Sequence, residues 1–155
     1  MTTRVAIVGG TGKLGTIVRQ IVEQSDDFEL VAVLGSRDSL EDMDAADLIV
    51  DTSTPAVSMD VVRHAISTGK SVLIGTSGWS AERISSIRAQ VDAAGVGVVV
   101  VPNFSLGSVV GSALAAAAAP LFSSIEIVET HRATKIDSPS GSAVRTAEPI
   151  SAARC

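Results

Sequence analysis

Short apolar runs alternate with longer stretches of helical period through residues 4–105 of this 155-residue chain. No other feature constrains the fold as strongly. Parallel strands need long crossover connections, and the helices that make them cover both faces of the sheet, so each strand reads as a continuous apolar run. Five such strands are expected, at Arg4–Val8, Leu30–Leu34, Leu48–Val50, Val72–Ile74 and Val98–Val101. After the first, Leu14, Val18, Ile21 and Val22 fall at helical spacing and predict one buried face. Further helices are expected at Ala56–Ser67, with Pro55 in its first turn, and at Ala81–Ala93, with Ser80 as N-cap. An Ala-rich helix at about Gly107–Ala119 should stop at Pro120.

Beyond Pro120 the pattern changes. Ile125–Glu129 partly alternates, as a half-buried strand does, and a stretch rich in Ser, Pro and Gly follows from Thr130 to Ser142. Residues Ser142–Arg154 suit one more helix, which Pro149 would start or kink. The expected division is a first domain over residues 1–121 and a second, α+β in character, over 122–155. One strand and one helix do not enclose a core, so the second domain reads as incomplete. An unpaired strand is a sticky edge, and Ser124–Cys155 is expected to be mobile or held by a partner molecule.

Composition excludes several classes of function. With 46% hydrophobic and 19% charged residues the chain is globular, and Lys+Arg 12 against Asp+Glu 17 gives a net charge of -5, which repels phosphate backbones and argues against a nucleic-acid partner. No apolar stretch approaches the roughly 18 residues of a membrane span, and the apolar part of the N-terminus is too short for a secretory signal, so no membrane partner and a cytoplasmic location are expected. The single cysteine, Cys155, gives no disulfide framework, no cysteine-based zinc site and no well-placed thiol nucleophile, and no metal site is expected. Tyr is absent, which removes every mechanism built on a catalytic tyrosine.

Gly9-Gly10-Thr11-Gly12-Lys13-Leu14-Gly15 follows the first strand and opens the first helix. Glycines at i, i+3 and i+6 permit a sharp turn and let a pyrophosphate approach the amides at the helix start, so a dinucleotide is the expected ligand; the alternative is an ordinary Gly-rich turn. The expected fold is therefore α/β, a doubly wound parallel sheet forming a Rossmann-like dinucleotide-binding domain. An acid at the end of the second strand would take the adenosine ribose hydroxyls, but here Ser36 and Arg37 stand there and no acid occurs until Asp38. Both residues can donate to a ribose phosphate, which favours NADPH over NADH; otherwise Arg37 is a solvated loop charge.

Three more strand ends carry small polar residues, at Asp51-Thr52-Ser53-Thr54-Pro55, Gly75-Thr76-Ser77-Gly78 and Pro102-Asn103-Phe104-Ser105. The carboxyl ends of the strands form the ligand crevice of an open α/β sheet. Thr52, Ser53, Gly75, Thr76, Ser77, Pro102, Asn103 and Phe104 are therefore expected along the cofactor, although each loop taken alone is also plain turn chemistry. The segment Glu129 to Ala143 gathers His131, Arg132 and Lys135 before a Ser140-Gly141-Ser142 turn that opens a helix. That combination suits holding a dianionic small molecule and moving a proton at it. A solvated basic loop is the bland reading, and His64, inside an expected helix, reads as a surface or boundary histidine.

Glu129-Thr130-His131 through Lys135-Ile136-Asp137-Ser138-Pro139-Ser140-Gly141-Ser142-Ala143 is close to the signature E-x-H-H-x-x-K-x-D-A-P-S-G-T-A. With the Gly9–Gly15 loop, Gly75-Thr76-Ser77-Gly78 and Pro102-Asn103-Phe104-Ser105, it resembles the bacterial 4-hydroxy-tetrahydrodipicolinate reductases, or dihydrodipicolinate reductases, of lysine and diaminopimelate biosynthesis. The resemblance implies His131 and Lys135 as catalytic residues, with Lys135 the proton donor. It implies that Gly141 and Ser142 hold a substrate carboxylate, with Arg132, Lys135 and Ser140 beside them. It implies hydride transfer from NADPH or NADH to a cyclic imine dicarboxylate, and a homotetramer for the full-length family. Arg132 stands where the family usually has a second histidine, Ser138 replaces Ala, Ser142 replaces Thr, and Thr52 replaces a common Phe near the nicotinamide.

Family chains continue past residue 155, so low or absent reductase activity is expected of this chain as it stands. The alternative function is a dinucleotide-binding module without activity. An aspartate-semialdehyde dehydrogenase-like enzyme would need a placed thiol, and a short-chain dehydrogenase would need a tyrosine.

Overall fold

The computed structural model describes residues 2–133 and 138–154. The chain forms two compact units, Met1–Pro102 and Asn103–Cys155. The expected boundary at 121/122 falls after the Ala-rich helix, whereas the units part before it.

The first unit contains a five-stranded sheet in which every recorded pairing is parallel. Its strands are β1 (Thr3–Val8), β2 (Phe28–Leu34), β3 (Leu48–Asp51), β4 (Ser71–Ile74) and β5 (Val98–Val100), in the order β2-β1-β3-β4-β5. Strand order reverses between β1 and β3, and ligands of open α/β sheets bind outside the carboxyl ends of the strands at such a point. The connections contain helices α1 (Lys13–Glu23), α2 (Ser58–Ser67) and α3 (Ala81–Ala94), while β2 reaches β3 through a short 3-10 turn at Leu40–Met43. The five expected strands and these three helices all form, with ends shifted by a few residues. The 3-10 turn had no signal in the hydrophobic period.

The two-residue repeat of the strands divides the core into two layers. Ala6, Val8, Ile49, Val72 and Ile74 face α2, α3 and the 3-10 turn, and pack with Met43, Val61, Val62, Ala65, Ile66, Trp79 and Ile87. Val5, Ile7 and Val50 face the other way and pack with Val18 and Val22 of α1. Ile21 departs from expectation, being 59% exposed. It lies at one margin of the apolar stripe, and the close packing of Gly15 turns α1 toward the Gly15–Val22 side. Ser80 caps α3 as expected, accepting the Arg83 amide. Residues 55–57 form a turn upstream of α2, with Thr54 O accepting the amides of Val57 and Ser58.

The described part of the second unit contains α4 (Leu106–Ala118), a 3-10 turn at Ala119–Leu121 that includes Pro120, and α5 (Gly141–Ala152). Ser112 Oγ and Thr146 Oγ1 meet at 2.7 Å and tie α4 to α5. The strand expected at Ile125–Glu129 does not form: the alternating pattern is present, but no strand among the described residues pairs with it. Alternation specifies two faces and not a partner backbone, and a strand needs both. Pro149 does not start α5 but lies inside it, and the helix continues to Ala152.

An ion pair fastens the sheet at its base. Arg4 Nη2 donates to Asp47 Oδ1 at 2.7 Å, and Arg4 Nε and the Arg4 amide both donate to Asp47 Oδ2 at 3.1 Å. The guanidinium holds the Asp47 carboxyl down from 3.8 to about 2. A depressed carboxyl stabilises the fold above its unfolded value and loses that contribution as pH falls through the folded value. Asp47→Asn should therefore be less stable than the parent chain at neutral pH, and the gap should close as pH falls from about 4 toward 2. Urea titrations across that range measure the gap, and a gap constant with pH contradicts the assignment.

Candidate functional site

The turn between β1 and α1 is built from contacts that only glycine allows. Gly9 has φ +79°, and a Cβ there would lie 2.5 Å from Thr52 O. A Cβ on Gly15 would lie 2.3 Å from Gly9 O and 2.6 Å from Gly10 Cα. The turn is held from below by Gly9 N–H donating to Leu34 O at 2.8 Å and across by Gly12 N–H donating to Gly9 O at 3.0 Å. Gly12 is the N-cap of α1, with no side-chain cap and no acid in the first turn. The amides of Lys13, Leu14 and Gly15 then have no intrahelical acceptor, and the helix start presents donors and positive partial charge.

Gly9, Thr11, Gly12, Ser36, Thr52 and Ser53 come together around a cavity of about 390 Å³ at the β1/β3 switch point. Gly10 and Gly15 lie behind it, where they permit the close approach, and Lys13 and Leu14 continue the helix. At the end of β2, Asp38 Oδ2 accepts the Gly35 amide at 2.7 Å, so this acid closes the turn. Ser36 and Arg37 are both exposed there. Ser36 lines the cavity and Arg37 lies outside the lining.

The loops after β3 and β4 are organised by a group that motif spacing did not single out. Asp51 is fully buried, and its carboxyl accepts the Ser53 amide at 3.0 Å, the Ser53 hydroxyl at 2.5 Å and the Ser58 hydroxyl. Trp79 Nε1–H donates to Ser58 Oγ at 2.9 Å, carrying the network from the β3 loop to the β4 loop. Arg83 lies 4.8 Å over the Trp79 ring and donates to Gly78 O and Pro55 O, which clamps the same two loops from outside. Thr52 Oγ1 donates to Val8 O and Thr76 Oγ1 to Asp51 O, so both hydroxyls join neighbouring strand ends. Gly75, Thr76 and Ser77 share this sheet edge without lining the cavity. The sequence signal for the network was an acid ending an apolar strand, Leu48-Ile49-Val50-Asp51, where a buried carboxyl demands donors. Pro102 follows β5 and closes the first unit.

In the second unit Asn103 and Ser105 shape the start of α4. Asn103 Oδ1 accepts the Ser105 amide at 2.8 Å, its Nδ2 donates to Ser108 Oγ at 2.8 Å, and Ser105 Oγ accepts the Ser108 amide. Phe104 is 49% exposed. At the start of α5, Ser140 Oγ accepts the Ala143 amide at 3.1 Å. Glu129 accepts both the amide and the hydroxyl of Ser140, and His131 Nδ1 lies 3.6 Å from Glu129 Oε2. Gly141 and Ser142 form the first turn, and Arg132 is exposed. Lys135, with Thr134, Ile136 and Asp137, lies outside the described residues. Among the described residues no helix is long and apolar enough to cross a membrane, and no group of three His, Cys, Asp or Glu could hold a metal ion.

A sequence profile described as dihydrodipicolinate reductase, N-terminus, matches residues 3–104, and one described as its C-terminus matches residues 107–154. The chain belongs to the dihydrodipicolinate reductase family. The profiles meet near where the compact units part. A 4-hydroxy-tetrahydrodipicolinate reductase of Clavibacter michiganensis subsp. michiganensis is 56% identical over 99% of this chain and 56% of its own length. One of Streptomyces coelicolor is 43% identical over 97% of this chain and 62% of its own length. The chain thus spans 56% and 62% of these two dihydrodipicolinate reductase relatives. Among solved structures, the dipicolinate-bound dihydrodipicolinate reductase of Paenisporosarcina sp. TG-14 matches with TM-score 0.80 and 30% identity, over 99% of this chain and 67% of that one. GenD2 from gentamicin A biosynthesis, in complex with NAD, matches at TM-score 0.62 and 21% identity over 76% of this chain and 40% of its own, a likeness of fold.

The glycine contacts give the loop a packing role that can be measured without a ligand. Gly15→Ala drives a methyl into backbone and should destabilise the first unit by about 1–3 kcal/mol, the usual cost of overpacking. Chemical denaturation measures it. Unchanged stability would mean that α1 does not approach Gly9 as closely as described.

Proposed function

We propose that this chain supplies the cofactor-binding and substrate-binding residues of an enzyme that reduces 4-hydroxy-tetrahydrodipicolinate, or dihydrodipicolinate, to tetrahydrodipicolinate at the expense of NADPH or NADH. The observation that carries the reading is the presence, in one chain of this family, of a glycine cradle at a sheet switch point and a Ser-Gly-Ser helix start close in sequence to His131. The cradle fits a dinucleotide, because a Cβ at Gly9 or Gly15 would collide with the backbone that shapes the turn. The amides of Lys13, Leu14 and Gly15 would receive the pyrophosphate, with Thr11, Ser36, Thr52 and Ser53 around the cavity.

When bound, the nicotinamide supplies the hydride. The chain's own residues do the rest. Gly141 and Ser142 amides offer two donors to a substrate carboxylate at the positive end of α5, and Arg132 adds positive charge. Hydride addition to an imine leaves its nitrogen in need of a proton, and the family resemblance assigns that donation to Lys135, with His131 as its catalytic companion. The same resemblance implies a homotetramer for the full-length family and a place in lysine and diaminopimelate biosynthesis.

In an enzyme carrying this sequence, Lys135→Ala should lower turnover by about 10²-fold or more, the usual size of a lost acid–base contribution, while NADPH binding persists. Near-parent turnover in the variant assigns the proton elsewhere, and no turnover in the parent removes the reductase reading.

Ser36 and Arg37 support a preference for NADPH, and the use of Asp38 by the Gly35 amide supports it further. Arg37→Ala should then cost about 1.5–3 kcal/mol in NADPH binding and leave NADH unaffected, as for one hydrogen bond to a charged group. Equal losses for the two dinucleotides overturn the preference.

A further inference from the structure

One side chain closes the two ends of the Glu129–Ser140 segment. Glu129 Oε1 accepts the Ser140 amide at 2.8 Å, and Oε2 accepts the Ser140 hydroxyl proton. With that proton committed, Ser140 Oγ accepts from the Ala143 amide at 3.1 Å and caps α5. In a capping box the acid that takes the N-cap amide stands three residues into the same helix. Here that position is Ala143, and Glu129 serves from 11 residues upstream. Ser140 is 3% exposed, so the cap is buried and its polar groups must be satisfied inside the protein.

Two consequences follow for a ligand. The Ser140 amide is withdrawn from it, which leaves the Gly141 and Ser142 amides as the first donors of α5. Among the described residues, nothing beyond its own chain neighbours and helix backbone lies within 4 Å of where a Gly141 Cβ would be. Glu129 Oε2 also lies 3.6 Å from His131 Nδ1, beyond hydrogen-bond distance but within ion-pair range.

We infer that Glu129 is a positioning residue of the substrate site: it fixes the start of α5, with the imidazole of His131 beside its carboxylate, ready for a carboxylate of a small dicarboxylate. The inference rests on the reductase reading. Donors already held in place cost less to order when a ligand arrives.

Glu129→Gln tests it without changing shape. An amide has an acceptor at only one of the two positions, and its NH2 group donates at the other, so it cannot take the Ser140 amide and hydroxyl protons on two separate oxygens as the carboxylate does. Dipicolinate serves as the probe in calorimetric titrations. Its Kd should rise about tenfold or more in Glu129→Gln, the size of one lost charge-assisted hydrogen bond, with the NADPH Kd within about twofold of the parent. In a reductase assay of an enzyme carrying this sequence the KM for the imine should rise by a similar factor, with a smaller change in kcat. Ser140 amide exchange, followed by NMR, should be slow in the parent and about tenfold faster or more in Glu129→Ala. An unchanged dipicolinate Kd, equal losses for dipicolinate and NADPH, or an unprotected Ser140 amide in the parent each overturns the inference. A parent that binds NADPH but not dipicolinate overturns the reductase reading and this inference with it. Ser140 protection then separates that failure from a misplaced Glu129, because the amide stays slow in the first case only.

Discussion

The approach of the β1–α1 turn to the end of β3 governs the first unit. Gly9 packs so close to the Thr52 carbonyl, and Gly15 so close to Gly9, that neither position has room for a methyl group. The contact brings the start of α1 over the point where strand order reverses, and Thr52 ties the same junction from its other side through Val8 O. Packing and ligand access are consequently one problem here. A turn tight enough to seat α1 on the sheet is also a turn whose first amides have no partner within the helix.

Two carboxyl groups organise the loops around the candidate sites, and both do so in the same chemical way. Asp51 takes an amide and two hydroxyl protons and sets the course of the β3 loop; Glu129 takes an amide and a hydroxyl proton and sets the start of α5. A carboxylate accepts and does not donate, so each serine beside it has its proton direction fixed. In the first unit this extends through Ser58 to Trp79 and holds two loops in one arrangement. In the second it orients Ser140 as the cap of α5. Serines that read alike in sequence thus differ in whether a neighbouring carboxyl sets their proton direction.

The alternation of apolar strands with helices was legible in the sequence because burial on both faces leaves continuous runs, and five strands with their three helices in the first unit appear where those runs lie. The glycine loop was legible for the same kind of reason: only one residue type tolerates the approach. Ile125–Glu129 was not, since its alternation carries no information about a pairing partner. The Asp51–Ser58–Trp79 chain was equally hidden, because its members come from two different strand-to-helix connections and no spacing in the sequence relates them.

What the sequence determined by itself was the class of fold, the position of the glycine turn and the family signature around His131. These depend on local periodicity, on the conformational freedom of glycine, and on residue types within one short segment. Only the tertiary structure decided the strand order, the switch point between β1 and β3, the burial of Asp51 and the use of Glu129 as a remote cap for α5. Each of these depends on which backbone groups meet across a distance in the chain. A hydrogen bond is specific to the partner in space, and sequence spacing encodes that partner only within a turn of helix or a hairpin.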